Sequence, residues 1–593
     1  MSDTPSTTPA EERTLNRRKL LKIGAAAAAT PAVAGVLAER ARADRRHRAP
    51  AQELEEVTIA ELQEAMEEGD LTARSLVRAY LRRIDAIDFH GPRLNSVIEI
   101  NPDALEIARE LDRERKNGKV RGPLHGIPVL LKDNIDTGDK MLTTAGSLAL
   151  VGAPAPQDST VAAKLRAAGA IILGKTNLSE WANFRSMHSS SGWSGRDGQT
   201  RNPYVLDRNP CGSSSGSGVA PSANLTAVSI GTETDGSIVC PASINGVVGI
   251  KPTVGLVSRA GVVPISASQD TVGPYGRTVA DAAAVLGALV SKTRDPRDPA
   301  TRDNPDQVTD YTQFVRPDGL KGARIGVARA GVTGYSEETD RVFDAAVAAI
   351  KAAGADVFDP VNIPTIDQIN AGAEEITVLI YEFKRDLNAY LATRVGVPIK
   401  TLADAIKFNL DHAEQELKWF LQEWFDIAEA RTDLAKGDGS VITDEEYEMA
   451  RVAARNLGGP QGIDAALKSV TPPLDALIAP TASPAWPTDL VNGDHFLGAS
   501  SAPAAIAGYP LVAVPAGDAF GLPVGISFMG TAFSEATLIR LAAGFESATK
   551  AREKPQFLRT LPFDDPPQQP STRAFKRTRS QRKPVEQVRP VMI

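Results

Sequence analysis

The chain has 593 residues, 42% of them apolar and 23% charged, with a formal net charge of −7. That is the balance of an ordinary globular protein with an Ala, Val, Ile and Leu core, and it excludes a global attraction to nucleic acid or to anionic membranes. Cys211 and Cys240 are the two cysteines. They exclude a disulfide framework, a CxxC motif and a Cys/His cluster; buried free thiols are expected, with one disulfide between them as the alternative.

Residues 1–43 read as a leader. Asn16-Arg-Arg-Lys-Leu-Leu-Lys22 precedes a mildly apolar run from Ile23 to Ala38, and Ala41-Arg42-Ala43 offers small residues at the two positions a signal peptidase reads. Paired arginines before an Ala- and Gly-rich segment fit a twin-arginine-type signal, so export to the periplasm or the extracellular space is expected. The run contains Pro31 and is too short and Ala-rich to span a membrane, and no later segment reaches 18 uninterrupted apolar residues.

Residues 44–562 read as one domain that opens with helices. Thr58 and Thr72 are placed to cap helices over 59–66 and 73–87, and a third helix is predicted over 102–116. Strand-like runs then alternate with helical ones. Strands are predicted at 127–131, 170–173, 247–250 and 325–328, and a helix from 158 to about 169. Short continuous apolar strands between helices predict an α/β fold, a single large domain whose mixed central sheet is covered by helices on both faces. From about 366 to 470 the pattern turns almost wholly helical, including 381–387 and 414–429, and reads as an insertion lying over the sheet. Strands return at 476–479, 511–514 and 524–528, before a last helix over 535–550. The tail, 563–593, is rich in Pro and Gln, and its last 23 residues carry seven basic side chains against one acidic one. It is expected to be a solvated, disordered basic tail.

Three pieces carry chemistry. Lys132 closes the apolar run Ile127-Pro-Val-Leu-Leu-Lys132, where a charged amine is costly. Such a lysine is either paired with Asp133 or neutral and able to act as a base. Next comes Cys211-Gly-Ser-Ser-Ser-Gly-Ser-Gly218, bounded by apolar-rich segments rather than by linker. It contains G-x-S-x-G centred on Ser214. That motif would need a strand before it, a helix after it and a suitable histidine downstream, where the chain has only His412 and His495. Third is Gly231-Thr-Glu-Thr-Asp-Gly-Ser237, a small-residue turn directly after an apolar strand. Its N–H groups at Thr234, Asp235, Gly236 and Ser237 are placed to hold an oxyanion beside the Ser237 hydroxyl, and an ordinary strand-to-helix turn is the alternative.

Taken in order, Lys132, Ser213 and Ser237 resemble the amidase signature family of serine hydrolases. Pro241-Ala-Ser-Ile-Asn-Gly246, Val248-Gly-Ile-Lys-Pro-Thr253 and Ser268-Gln-Asp-Thr-Val-Gly-Pro274 extend the resemblance, which covers about residues 55–553. It implies a Ser-cisSer-Lys triad with Ser237 as nucleophile, Ser213 as the bridging serine after Gly212, and Lys132 as base. It also implies a monomer, and nothing in the sequence indicates a metal or an organic cofactor. Glu233-Thr234-Asp235 stands where the family more often has Asp-x-Gly, and Cys211 and Ser215 replace common glycines. These departures resemble the bacterial peptide amidases, as do Gly174-Lys-Thr-Asn-Leu-Ser-Glu-Trp-Ala-Asn-Phe-Arg185 and Ala485-Trp486-Pro487. The resemblance implies hydrolysis of linear carboxamides, above all the C-terminal amide of peptides. The alternatives are a broad aliphatic or aryl amidase and a glutamine-hydrolysing amidotransferase component. Trp181, Trp193 and Trp486 are candidate walls of the substrate cleft, or else packing residues.

Overall fold

The computed structural model describes residues 54–290, 293–303 and 308–562. The leader signal and the basic tail lie outside the described residues. The first two helices start where hydroxyls can cap them. Thr58 forms a capping box with Glu61 ahead of Ile59–Glu67, and Thr72 forms one with Ser75 ahead of Ala73–Arg83. Each box satisfies N–H groups that the first helical turn leaves without partners.

Among the described residues thirteen strands follow in chain order: β1 (Val97–Ile100), β2 (Pro128–Lys132), β3 (Ile171–Thr176), β4 (Trp193–Ser194), β5 (Gly198–Gln199), β6 (Val228–Glu233), β7 (Val248–Lys251), β8 (Thr271–Gly276), β9 (Arg324–Val327), β10 (Asp356–Phe358), β11 (Ala476–Pro480), β12 (Leu511–Ala519) and β13 (Leu522–Met529). Eleven form one sheet in the order β1-β3-β2-β6-β8-β7-β12-β13-β11-β9-β10, and β4 with β5 makes a separate hairpin. The sheet is mixed: β2 runs parallel to both β3 and β6, whereas β6 and β8 are antiparallel. Every residue of β2, β3, β6, β7, β8, β11 and β13 is buried. Successive side chains of a strand point to opposite faces, so both faces are covered, as the alternating pattern predicted. β1, β8, β10 and the hairpin strands β4 and β5 went unread in the sequence: β1 and β10 are short and partly exposed, β4 and β5 have two residues each, and Gly273, Pro274 and Gly276 hide the strand character of β8.

The segment between β10 and β11 is helical. Its longest helix, Ala373–Thr393, packs with Glu423–Ala430 in an apolar cluster that includes Trp181, Phe184, Phe383, Trp424 and Phe425. The single helix expected over 414–429 is in fact two, Ala413–Glu416 and Glu423–Ala430. Two contacts of Arg185 account for the break: its guanidinium donates to Glu416 O at 2.8 Å and lies over the Phe420 ring. No helix among the described residues is long and apolar enough to cross a membrane.

Candidate active site

β2 and β6 are parallel neighbours, pairing Leu131 with Ile230, so their carboxyl ends emerge on the same side of the sheet. Lys132 is the last residue of β2, and the turn 234–237 leaves the end of β6. Ser213 reaches the same place from the loop before the helix Ser215–Ser222, through a cis peptide bond from Gly212. A Cβ at 212 would displace Ser179 Oγ, which accepts from the Gly192 N–H at 2.8 Å. The loop is fixed by a bond from Ser179 N–H to Ser213 O of 3.0 Å.

Lys132 is fully buried, and its Nζ lies 2.7 Å from Ser213 Oγ. It also approaches Thr232 Oγ1 at 2.9 Å and Thr232 O at 3.3 Å. Burial pushes the Lys132 amine well below its ordinary pKa, and the charges of Asp270 and Glu233 only partly oppose this. Asp133, the other partner considered from sequence, turns away from Nζ. Its carboxylate bonds the Thr144 hydroxyl and the Arg196 guanidinium. Thr232 is a site residue that sequence reasoning missed, because only the pairing of β6 with β2 brings it to Lys132.

Ser237 sits in a turn that needs glycine, with Gly236 at φ 75°. The turn is anchored by the Glu233 carboxylate, which accepts from the N–H groups of Ile238 and Val239 at 2.6 and 2.9 Å. The Gly236 N–H also favours the charged form of Glu233. The two serine-bearing turns are joined by Ser214 N–H to Ser237 O at 3.3 Å, and among the described residues no hydrogen bond links the Ser213 and Ser237 hydroxyls. Catalytic bonds are often long before substrate binds.

The other hydroxyls of the serine-rich loop are occupied. Ser214 Oγ donates to Thr232 O at 2.9 Å and accepts from Thr232 N–H at 3.2 Å, so the residue at the centre of G-x-S-x-G is a clamp between loop and strand. Ser215 donates to Cys211 O, and Ser217 to Ile230 O. Cys211 and Cys240 are joined by a disulfide, which corrects the expectation of free thiols. The sequence could not decide this, because pairing depends on the two turns meeting in space. The bond ties the Ser213 loop to Val239–Ile244, the helix that follows Ser237.

A cleft opens at Ser237. Its walls are Phe184, Ile265, Ile376, Leu379 and Trp424, with Thr234, Asp235 and Glu375 toward the nucleophile turn. Trp424 stacks on Phe184 with ring centroids 5.4 Å apart. Trp181, Trp193 and Trp486 are not among the residues that line this cleft, so of the two readings, cleft wall or packing, their contacts are those of packing. Trp181 packs edge-on against Phe425 in the core, Trp193 lies against Phe420 and Arg185, and Trp486 donates its indole N–H to Asp494 at 3.0 Å. Large rings with few polar atoms gain most from full burial, and at Trp486 the indole N–H also finds an acceptor.

A serine bonded to a desolvated amine, next to a second serine in a glycine turn, is the constellation of a nucleophilic hydrolase. A family model described as Amidase matches residues 75–539, and the chain belongs to that family, the amidase signature enzymes. It is an amide hydrolase, acting on C–N bonds. The native peptide amidase of Stenotrophomonas maltophilia is 52% identical, with a TM-score of 0.79, over 85% of this chain and 99% of that one. A probable amidase of Arabidopsis thaliana is 44% identical over 85% of this chain and 92% of its own length. A glutamyl-tRNA(Gln) amidotransferase component of Thermoanaerobacter pseudethanolicus is 32% identical over 85% of this chain and 99% of its own length.

Proposed function

We propose that the chain removes the C-terminal amide of peptides, giving the free acid and ammonia, through Lys132, Ser213 and Ser237. The observation that carries this reading is the 2.7 Å contact between buried Lys132 Nζ and Ser213 Oγ, with Ser237 in the adjoining turn and facing the cleft. A neutral Lys132 directs two N–H bonds at Thr232 O and Oγ1, which leaves its lone pair for the Ser213 proton. Ser213 then takes the proton of Ser237 as the Ser237 oxygen bonds to the carboxamide carbon. The oxyanion rests on N–H groups of the turn 234–237, of which Gly236 is shared with Glu233. The C–N bond breaks as the proton returns through Ser213 to the nitrogen. Ammonia leaves, and water cleaves the acyl-enzyme by the same relay.

The identity to the Stenotrophomonas peptide amidase over nearly that whole enzyme supports the peptide substrate. The apolar walls at Phe184, Ile376, Leu379 and Trp424 suit a peptide side chain next to the carboxamide. Export is part of the same reading: the leader pattern asks for it, and the Cys211–Cys240 disulfide suits an oxidising compartment. Ammonia release from amidated peptides, simple aliphatic and aryl amides, and glutamine tests the substrate. Fast turnover of amidated peptides supports the proposal; turnover of glutamine alone supports the amidotransferase-type alternative.

A further inference from the structure

Two carboxyl groups stand in the wall of the cleft beside the nucleophile. Asp235 precedes Ser237 by two residues and is 8% exposed, and Glu375, in the first turn of Ala373–Thr393, is 5% exposed. Among the described residues, buried Asp235 Oδ1 has no hydrogen-bond partner. Glu375 Oε1 accepts from Gln269 Nε2 at 2.8 Å. No cation is among the residues that line this cleft; Lys251, the base whose charge acts on Asp235, spends its ammonium on Tyr509 O and Ala504 O. A buried carboxyl oxygen left without a donor costs free energy unless a ligand supplies one.

We infer that Asp235 Oδ1 is the acceptor for the N–H of the substrate's carboxamide nitrogen, and that it selects amides over esters and over the acid product. The inference rests on Ser237 being the nucleophile and a primary amide the substrate. A carboxamide held with its carbonyl on the turn 234–237 presents an NH₂ group that the apolar walls cannot satisfy. Two residues from the nucleophile, Asp235 offers the missing acceptor. The facing Glu375 reinforces the choice: burial and the Glu375 charge push Asp235 well above the carboxylate range, against the opposing pull of the Ser501 hydroxyl, and burial pushes Glu375 up to about 7. The pair therefore shares protons rather than carrying two charges, and each carboxyl keeps an oxygen able to accept. An ester offers no N–H to this oxygen, and an acid product brings a third carboxyl to the pair. Asp235 also gives a use to the departure from Asp-x-Gly in Glu233-Thr234-Asp235, which the proton relay leaves unexplained.

The test compares kcat/KM for a peptide amide and for the methyl ester of the same peptide. Asp235→Ala and the bulkier Asp235→Leu should lower the amide-to-ester ratio by about tenfold or more, the effect of one hydrogen bond to a buried polar group. Asp235→Asn, which retains an acceptor oxygen, should keep the ratio within about threefold of wild type. Removing a buried carboxyl relieves its desolvation and gives up only the Ser501 contact, so these variants are expected to fold, and either of the first two suffices. An unchanged ratio in the folded Ala or Leu variant, or an equal loss on both substrates, overturns the inference and leaves the amidase reading intact. A wild-type enzyme that turns over the ester but no amide overturns both.

Discussion

Lys132 and Thr232 face each other across two neighbouring parallel strands, with Nζ 2.9 Å from Oγ1. Asn134 Nδ2 donates to the same Oγ1 at 2.9 Å. Lys132 is thus held by the sheet itself, on the strand next to the one that ends at the turn 234–237. Rigid placement of this kind lets a proton pass along a fixed line without reorganisation.

Removing members of the relay should separate nucleophile from helpers. Ser237→Ala should lower kcat by about 10⁴-fold or more, and Lys132→Ala and Ser213→Ala should lose most of the activity. Ammonia release measured on variants with native circular dichroism checks this. Near-normal turnover in any folded variant of the three removes that residue from the mechanism.

The pH dependence follows from the depressed Lys132. Activity needs the neutral amine, so kcat/KM should fall as pH drops through its folded pKa, with a limb well below the ordinary lysine value of about 10.4. The same shift governs stability. Between the folded and unfolded pKa values the unfolded chain binds more protons, so the contribution of Lys132 to stability rises with pH. Lys132→Met lacks that dependence. Its stability relative to wild type should therefore decline as pH rises toward the ordinary lysine value of about 10.4, measured by urea unfolding. A constant or rising difference contradicts a neutral Lys132.

Loss of the disulfide should loosen the Ser213 loop from the helix after Ser237. With a sequence separation of 29 between its ends, the chain-entropy model gives a cost of about 3–4 kcal/mol for Cys211→Ser with Cys240→Ser. Unfolding of the double variant, and of wild type with and without reductant, measures it. A thermal midpoint insensitive to both changes would mean the two turns are held by other contacts.

Trp424 and Trp181 should respond in opposite ways. Trp424→Ala opens the cleft wall and should raise KM for amidated peptides by about tenfold, from roughly 1.5 kcal/mol of lost apolar contact, with little change for the smallest amides. Trp181→Ala removes a core ring and should cost about 3–5 kcal/mol of stability. Kinetics on the folded fraction distinguish the two; a KM effect confined to Trp181→Ala would place the substrate elsewhere.

Much of this was legible in the chain, and the reason is local. Lys132 announced itself as a charge at the end of an apolar run, which only a desolvated or paired amine explains. Ser213 and Ser237 stood in glycine-rich turns beside apolar strands. Three things stayed hidden because they depend on which segments meet. Nothing in the sequence places Cys211 against Cys240, or Thr232 one strand from Lys132. The tryptophans misled for a related reason: an aromatic reads the same whether it fills a core or a cleft, and Trp424 was concealed in a stretch taken for one continuous helix.

The helices between β10 and β11 supply Glu375, Ile376, Leu379 and Trp424 to the cleft, while Lys132, Ser213 and Ser237 come from the sheet and its loops. Part of the cleft wall is therefore written more than a hundred residues away from Lys132, Ser213 and Ser237, while Phe184, Asp235 and Ile265 complete it from nearer stretches. Substitutions confined to the helical segment are expected to retune what the cleft accepts while leaving the 2.7 Å contact of Lys132 with Ser213 in place. A distant insertion can so be refitted for new amides without rebuilding the sheet.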